Sequence, residues 1–231
     1  MSRRGSGTVG PRDRGLLRPQ DGRVVSGVTV SSDGVVTGNT FDKYGSSNPF
    51  VRRMMSAFER TAVELLDLAA PGSVLDVGCG EGVLAQRWAQ RLPAARMVGI
   101  DLEEPSIQAG WAEHTAPNLE YRVVEGPGLP FGDDEFEMAS AMEELEHLPD
   151  PQRMLQEMAR CARTHLLVSV PREPMWRMLN MARGAYWSSW GNTPGHLNHW
   201  SARSLRALLS GVGEVVEMRS PFPWTMVLVR L

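Results

Sequence analysis

The sequence predicts an α/β fold built on a mainly parallel sheet, and two observations support this prediction. From residue 50 onward, apolar segments of strand length alternate with amphipathic segments of helix length, which is typical of a parallel sheet covered by helices. Residues 74–77 form a largely apolar run, and Gly78, Gly80 and Gly82 follow it directly before a helical segment. In doubly wound, Rossmann-like folds, such a strand, glycine turn and helix N-terminus form a ligand-binding corner.

The predicted elements follow one another without long gaps. The first is an amphipathic helix over residues 50–68, which ends before Pro71 and Gly72. Apolar runs predict five strands, at residues 73–77, 97–100, 119–124, 136–141 and 165–170. The segments between them predict helices at residues 82–91, 105–114 and 151–162. A helix over residues 201–211 and two late strands, at 214–219 and 225–231, complete the pattern.

The composition of this 231-residue chain favours one globular domain. A net charge of −3 provides little attraction for phosphates, so a nucleic-acid partner is not expected. We expect no membrane span, because no apolar run is long enough to cross a bilayer, and we expect a cytoplasmic location. The two cysteines, Cys79 and Cys161, fit no disulfide framework.

The N-terminal segment differs in composition from the rest of the chain. Residues 1–37 are rich in glycine, serine and arginine and contain few large apolar side chains, so we expect them to be disordered or weakly structured. Within them, residues 24–25 are predicted to pair with residues 28–30 as a small hairpin. Residues 38–231 are expected to form the folded domain.

A second predicted strand ends in an acid. Asp101 closes the run Met97–Asp101, at about the twenty-residue spacing from the glycine turn where a ribose-binding carboxylate is expected. Such a carboxylate accepts hydrogen bonds from ribose hydroxyls. The pattern alone leaves two cofactors open, a nicotinamide dinucleotide and S-adenosylmethionine.

The residues of the glycine turn separate these two cofactors. Asp76–Gly82 reads D-V-G-C-G-E-G, which resembles the first motif of class I S-adenosylmethionine-dependent methyltransferases of the type 11 group and differs from the dinucleotide motif G-x-G-x-x-G. The resemblance covers about residues 40–231. It implies methyltransferase activity with S-adenosylmethionine as cofactor. It also implies a seven-stranded, mainly parallel sheet whose two late strands form an antiparallel end.

The resemblance assigns a set of residues to the cofactor site. Asp76 would order the glycine loop and approach the methionyl amine, while Asp101 would bind the ribose. Glu125 stands where the family usually has Asp, and it would accept a hydrogen bond from the adenine amino group. The full set also includes a lid tyrosine, whose ring face suits a sulfonium cation. Its members are Tyr44, Asp76, Gly78, Cys79, Gly80, Asp101, Leu102, Glu125, Gly126 and Met142.

A second motif, E-x-x-E-H, follows the fourth predicted strand of the sheet. Its members, Glu143, Glu146 and His147, would share one face if they formed a helical turn, and two carboxylates with an imidazole can hold a divalent cation. The motif is similar to the metal site of ubiquinone-type and small-RNA O-methyltransferases. The RNA group adds a histidine shortly before a tryptophan, and His196 stands at a comparable place. A site for Mg²⁺, Mn²⁺ or Zn²⁺ and a hydrogen-bonded structural cluster both remain open.

Three histidines are candidate general bases if no metal is present, namely His147, His196 and His199. A hydroxyl is a weak nucleophile at neutral pH and needs a base or a metal, so these residues favour transfer of the methyl group to oxygen. The alternatives are methylation of carbon or nitrogen in a lipid or natural product, and a protein that binds S-adenosylmethionine without methylating.

Residues 171–200 are expected to form a helical cap over the acceptor. The segment is rich in methionine and aromatic residues, which favours a small apolar or aromatic acceptor. Helical spacing explains Met175, Trp176 and Met178 equally well as packing residues. The sequence therefore predicts a small-molecule methyltransferase and leaves the acceptor unnamed.

Overall fold

The computed structural model describes residues 29–30, 36–37, 47–124, 128–182, 184 and 186–231. Two short strands, β1 (Thr29–Val30) and β2 (Val36–Thr37), pair antiparallel. Residues 29–30 therefore pair with residues that follow them. The predicted pairing with residues 24–25 stays a prediction. Residues 24–25 themselves lie outside the described residues.

Seven strands form the main sheet. In chain order they are β3 (Ser73–Val77), β4 (Arg96–Asp101), β5 (Leu119–Val123), β6 (Phe136–Met142), β7 (Ala162–Pro171), β8 (Glu214–Arg219) and β9 (Trp224–Arg230). Their order across the sheet is β5-β4-β3-β6-β7-β9-β8. The first five run parallel to one another, and β9 is antiparallel to both β7 and β8. This confirms the predicted α/β fold and its antiparallel end.

Six α-helices accompany the sheet: α1 (Pro49–Ala69), α2 (Val83–Arg91), α3 (Pro105–Glu113), α4 (Pro151–Cys161), α5 (Met175–Ala182) and α6 (Ala202–Leu209). Local signals set their ends. The side chain of Asn48 caps α1 by accepting a hydrogen bond from Phe50 N, and Asp150 caps α4 by accepting one from Arg153 N. None of the described helices combines the length and the apolar character that crossing a bilayer requires.

The core lies in two layers, one on each face of the sheet. The first centres on β3, β6 and β7 with α4 and α6, and includes Leu155 and Leu205. The second packs α1 and α2 against the opposite face, and includes Phe58 and Trp88. Because the central strands β3 and β6 are covered on both faces, their carboxyl ends are held rigidly, and this edge is where doubly wound sheets bind ligands.

Candidate functional site

The glycine turn leaves the carboxyl end of β3 and is tied to the neighbouring strand. The backbone N–H groups of Gly78 and Cys79 both donate to Ile100 O, at 2.9 and 3.0 Å. Gly78, Gly80 and Gly82 have φ values of 69°, 55° and 85°, in the left-handed region that favours glycine. The three glycines therefore bend the chain from β3 into α2, as the sequence predicts.

Asp101 lies at the end of β4 and organises this turn. Its Oδ2 accepts a hydrogen bond from Gly80 N at 2.7 Å, and its Oδ1 accepts one from Leu102 N at 2.7 Å. Burial raises the pKa of this carboxyl group, while the two N–H donors act in the opposite direction. The arrangement joins Asp101, Leu102 and Gly80 at one edge of the sheet, where the cofactor prediction places them.

Two aromatic side chains pack against the glycine turn. No sequence motif indicates that either of them belongs to the site. Trp111, on α3, donates from Nε1 to Gly80 O at 2.8 Å and stacks on Tyr121, with ring centroids 5.0 Å apart. Tyr121 donates its hydroxyl to His114 O at 2.6 Å. A side chain at position 82 would meet the Tyr121 hydroxyl, since a Cβ built on Gly82 overlaps Oη. An amphipathic helix gives no signal that one of its aromatic residues will bind a turn.

Asp76 lies inside the sheet, with 2% of its surface exposed. Ser140, its neighbour on β6, donates its hydroxyl to Asp76 Oδ1 at 2.7 Å. Burial raises the pKa of the Asp76 carboxyl to about 7, against the opposing effect of the serine hydrogen bond. Burial and the nearby Asp76 and Asp101 also raise the pKa of the Cys79 thiol well above its usual value, so this thiol is not a nucleophile.

Glu144 is the most informative residue that the sequence interpretation missed. Its carboxyl group lies against the glycine turn, because Cδ and Oε2 are each 2.5 Å from a Cβ built on Gly78. Burial, together with the negative charges of Asp101 and Asp76, raises the pKa of Glu144 to about 8. Three carboxyl groups therefore interact around the turn. The motif E-x-x-E-H drew attention to the acids on either side of Glu144 instead.

The expectation that Glu143, Glu146 and His147 share one helical turn is wrong. Glu143 has a left-handed backbone, with φ 64°, and only Leu145–His147 forms a 3₁₀ turn. The Glu143 carboxylate accepts hydrogen bonds from the Trp224 indole and from the Ser169 hydroxyl. The reversed backbone at residue 143 thus turns this side chain toward β7 and β9.

Glu146, His147 and His196 come together as a compact group. One ligand atom from each residue lies within 4.8 Å of the others, and Glu143 is not a member of the group. The imidazole rings of His147 and His196 meet edge to face, with centroids 4.9 Å apart. His147 Nδ1 lies 3.1 Å from Gly195 O, so in a neutral ring Nδ1 carries the proton and Nε2 the lone pair. This trio is the part of the predicted metal site that the structure assembles.

Backbone hydrogen bonds join this turn to the segment around residue 196. Leu197 N and Asn198 N both donate to Glu146 O, at 2.8 and 3.1 Å. The Asn198 side chain donates to Leu148 O at 2.6 Å and to Leu145 O at 3.4 Å. Residues 195–198 therefore clamp the 3₁₀ turn, and no sequence motif indicates this connection.

His199 lies in a different environment from the other two candidate bases. Its Nε2 is 3.0 Å from an Arg177 guanidinium nitrogen and 2.7 Å from Asn192 Oδ1. Burial lowers the pKa of His199, and the Arg177 charge lowers it further. Among the described residues, it does not join the group formed by Glu146 and its two histidine partners.

The remaining predicted residues divide into two sets. Met142 ends β6, partly buried against the second core layer. Tyr44, Glu125 and Gly126 lie outside the described residues, so the contacts predicted for them stay predictions. In the segment predicted to form the cap, Trp176 packs 6.0 Å from the ring of His196, whereas Met178, Trp187 and Trp190 are exposed by 67%, 62% and 77%.

Comparison with known proteins identifies the family. Residues 50–217 match the family of methyltransferase domains. The chain therefore belongs to this family, and it is a class I S-adenosylmethionine-dependent methyltransferase domain. This confirms the resemblance and the Rossmann-like fold inferred from the glycine turn.

The individual relatives align over short stretches. The chain is 35% identical over 104 residues to methyltransferase GfsG of Streptomyces halstedii, an alignment covering 43% of this chain and 37% of the relative. It is 38% identical over 88 residues to a ubiquinone biosynthesis O-methyltransferase of Coxiella burnetii, covering 37% of each protein. These alignments therefore span well under half the length of the two curated relatives.

A solved structure supports the same fold over a longer range. Magnesium protoporphyrin IX methyltransferase from Synechocystis PCC 6803, determined with bound SAH, superimposes with a TM-score of 0.59 at 18% identity. The superposition covers 80% of this chain and 89% of the neighbour. At this identity the likeness shows the fold alone.

Proposed function

We propose that this chain transfers a methyl group from S-adenosylmethionine to an oxygen atom of a small-molecule acceptor. One observation carries the oxygen assignment, namely the grouping of Glu146, His147 and His196 close to the edge where the glycine turn lies. A hydroxyl acceptor needs a base or a metal, and this trio can supply either.

The turn at the end of β3 suits the cofactor in shape. A Cβ built on Gly80 meets no described atom within 4 Å, so this part of the turn borders open space. Beside it, the Asp101 carboxylate is fixed by two backbone donors and still has lone pairs for ribose hydroxyls. We expect Gly78, Gly80, Asp101 and Leu102 to hold the nucleoside, as the family resemblance implies.

The turn also suits the cofactor in charge. The negative charge of Asp101 raises the pKa of Asp76, and the charges of Asp101 and Asp76 both raise the pKa of Glu144. A cationic ligand relieves such repulsion, whereas an anionic ligand would add to it. S-adenosylmethionine supplies an activated methyl group on a positively charged sulfur, and the site favours that charge.

The protein's own part in methyl transfer is to place the acceptor and take its proton. With Nδ1–H held by Gly195 O, His147 presents Nε2 as a proton acceptor. The nearly buried Glu146, at 1% exposure, stabilises a protonated imidazole in the group because it is a carboxylate in a water-poor setting. Holding the acceptor oxygen in line supplies much of the remaining rate enhancement.

A divalent metal is the second possibility at the same group. Glu146, His147 and His196 offer one carboxylate and two imidazoles, a donor set that Zn²⁺ and Mn²⁺ accept, with positions left for an acceptor. The metal would lower the pKa of the acceptor hydroxyl. Glu143 would take no part in it, since its carboxylate is bound to Trp224.

The acceptor is proposed to be small and apolar or aromatic. The cap contributes Trp176 near His196, and further aromatic side chains are exposed on it. The relative from Coxiella burnetii is named as an O-methyltransferase of ubiquinone biosynthesis, which is consistent with a hydroxyl on an aromatic acceptor. A net charge of −3 provides no general attraction for RNA.

Formation of S-adenosylhomocysteine tests this proposal. The full chain is incubated with S-adenosylmethionine and with a catechol, a simple phenol or a matched aniline. We expect turnover with a hydroxyl acceptor, and we expect Glu146→Gln and His147→Ala to lower it by about 100-fold or more. Glu113→Gln, on the exposed end of α3, is the control and should leave the rate unchanged.

Chelation separates the two versions of the mechanism. If a metal is present, a chelator abolishes turnover, and Mg²⁺, Mn²⁺ or Zn²⁺ restores it. If the rate is unchanged by the chelator but lost in His147→Ala, the histidine acts as the base. Methylation of the aniline alone, insensitive to both changes, would contradict the oxygen assignment.

A further inference from the structure

The site also contains a residue that can separate the cofactor from its product. We infer that Glu144 makes the cofactor site select S-adenosylmethionine, with its positively charged sulfur, over S-adenosylhomocysteine, whose sulfur is neutral. The inference rests on the proposed function, because it concerns the same site. It assigns to Glu144 a role in ligand specificity and none in the transfer step.

The topology places Glu144 directly at the glycine turn. Strands β3 and β6 are neighbours in parallel register, with Val77 opposite Ala141, so the residues that follow each strand emerge side by side. The Glu144 side chain then folds over Gly78, where Cγ, Cδ and Oε2 all lie within 2.6 Å of a built Cβ. Any larger residue at position 78 would displace this carboxyl group, so the glycine there gives it room.

The charges that face Glu144 are all of one sign. Asp76 approaches from β3 and Asp101 from the end of β4, and both interact electrostatically with Glu144. Beyond them, Asp101 interacts with Glu104, the residue that precedes α3. Among the described residues, no lysine, arginine or histidine contributes to the electrostatic environment of Glu144. Within the part of the chain that the structure describes, the turn therefore holds several carboxyl groups with no cation to balance them.

The excess of negative charge around the turn affects the affinities for the two ligands differently. Both carry the amino-acid ammonium and carboxylate groups, but only S-adenosylmethionine carries the sulfonium charge. A carboxylate beside the ligand stabilises the added cation because opposite charges attract strongly where water is scarce. The same attraction favours the ionised form of Glu144 and acts against the burial that raises its pKa. The product lacks that attraction once its sulfur is neutral, so it is held less firmly and leaves more easily.

The fold does not require a charged residue at position 144. Its neighbour Leu145 is fully buried in the first core layer, and Glu143 is held by Trp224. Among the described residues, no hydrogen bond or ion pair joins the Glu144 side chain to another side chain, so the fold gains little from its charge. A polar or apolar residue of similar length would pack there, which makes an uncharged variant informative.

Calorimetric titration with the two pure ligands tests the inference without any acceptor. The full chain and its Glu144→Gln and Glu144→Met variants are each titrated with S-adenosylmethionine and, separately, with S-adenosylhomocysteine. We expect the ratio of the two dissociation constants to shift by about fivefold or more toward the product in both variants. Glu103→Gln removes one carboxylate from an exposed position near Asp101 and should leave the ratio unchanged.

The outcomes separate the inference from the proposed function. An unchanged ratio in both Glu144 variants, with both ligands still bound, would overturn the role of Glu144 and leave the cofactor assignment intact. An equal shift in Glu103→Gln would also overturn it, because overall charge would then explain the selectivity. If the unaltered chain binds neither ligand, the proposed function fails first.

Discussion

Two regions meet at the carboxyl edge of the sheet, and they are held in place differently. The glycine turn is fixed by partners that come soon after it in the chain, since Asp101 and Trp111 follow Gly80 by 21 and 31 residues. The turn with the histidine group is fixed by residues 195–198, about fifty positions later, as in the 53-residue separation between Leu145 and Asn198. The comparison teaches that partners close in sequence fix the proposed cofactor turn, whereas a distant segment fixes the group proposed to act on the acceptor.

The largest expected effect that tests this comparison concerns the ionisation of the buried Asp76 carboxyl group next to the glycine turn. Burial raises the pKa of Asp76 from 3.8 to about 7 in the folded protein, so the folded state binds a proton that the unfolded chain releases. Asp76 therefore contributes stability that is present below pH 3.8 and is lost as the pH rises toward 7. The loss is at most about 4 kcal/mol.

Denaturant unfolding of the full chain and of Asp76→Asn at a series of pH values measures this contribution. The difference in free energy of unfolding between the two proteins should change steadily in favour of Asp76→Asn between pH 4 and pH 7. A difference that is the same at every pH would mean that the carboxyl group is not the buried acid described here.

The next largest effect tests how rigidly the aromatic pair holds the turn. Gly82→Ala places a methyl group against the Tyr121 hydroxyl, which is fixed by His114 O and by stacking on Trp111. We expect a loss of about 2–4 kcal/mol in unfolding free energy, from the left-handed backbone and from the displaced hydrogen bonds.

Gly184→Ala is the matched control, since Gly184 has a similar φ of 78° and its Cβ would meet no described atom within 4 Å. Thermal or denaturant unfolding should show only the backbone cost of about 1 kcal/mol there. Equal losses in the two variants would show that Tyr121 gives way easily, and the local rigidity of the cofactor region would be refuted.

A smaller effect is expected where residues 195–198 hold the turn with the histidine group. Asn198→Ala removes the hydrogen bonds to Leu148 O and Leu145 O, which costs about 1–2 kcal/mol of local stability. Limited proteolysis should then cut residues 171–200 faster, while the affinity for S-adenosylmethionine stays the same. Leu197→Ala, at an exposed neighbour whose backbone bond remains, is the control. A matching loss of cofactor affinity would show that the two regions are not separable.

The same contrast explains what the sequence could predict. Strands such as Ser73–Val77 and Arg96–Asp101 are short apolar runs bounded by turn residues, so their positions and the place of Asp101 at a strand end follow from local pattern. The α/β fold is confirmed for this reason, and the antiparallel end, which the family resemblance implied, is confirmed as well. The predicted contacts of Tyr44, Glu125 and Gly126 remain predictions, since these residues lie outside the described part of the chain.

The sequence predicts the surroundings of the histidine group less well. The backbone conformation, and not the residue spacing, sets the direction of each acidic side chain there. Spacing in E-x-x-E-H indicates that Glu143 and Glu146 act together, but a left-handed Glu143 sends its side chain to Trp224 and brings Glu144 over Gly78. Spacing likewise treats His196 and His199 as alike. The structure separates them, because Arg177 and Asn192 bind His199.

Titration with S-adenosylmethionine and with NAD⁺ tests the central claim most directly, namely that the turn held by Asp101 is a methyltransferase cofactor site. We predict that the full chain binds S-adenosylmethionine and not NAD⁺, and that Asp101→Ala weakens binding by about 10- to 100-fold, because charge-assisted hydrogen bonds are lost. Asp67→Ala, which removes an exposed ion pair with Arg91, should leave the affinity unchanged. Binding of NAD⁺ without S-adenosylmethionine, or full affinity in Asp101→Ala, would contradict the account.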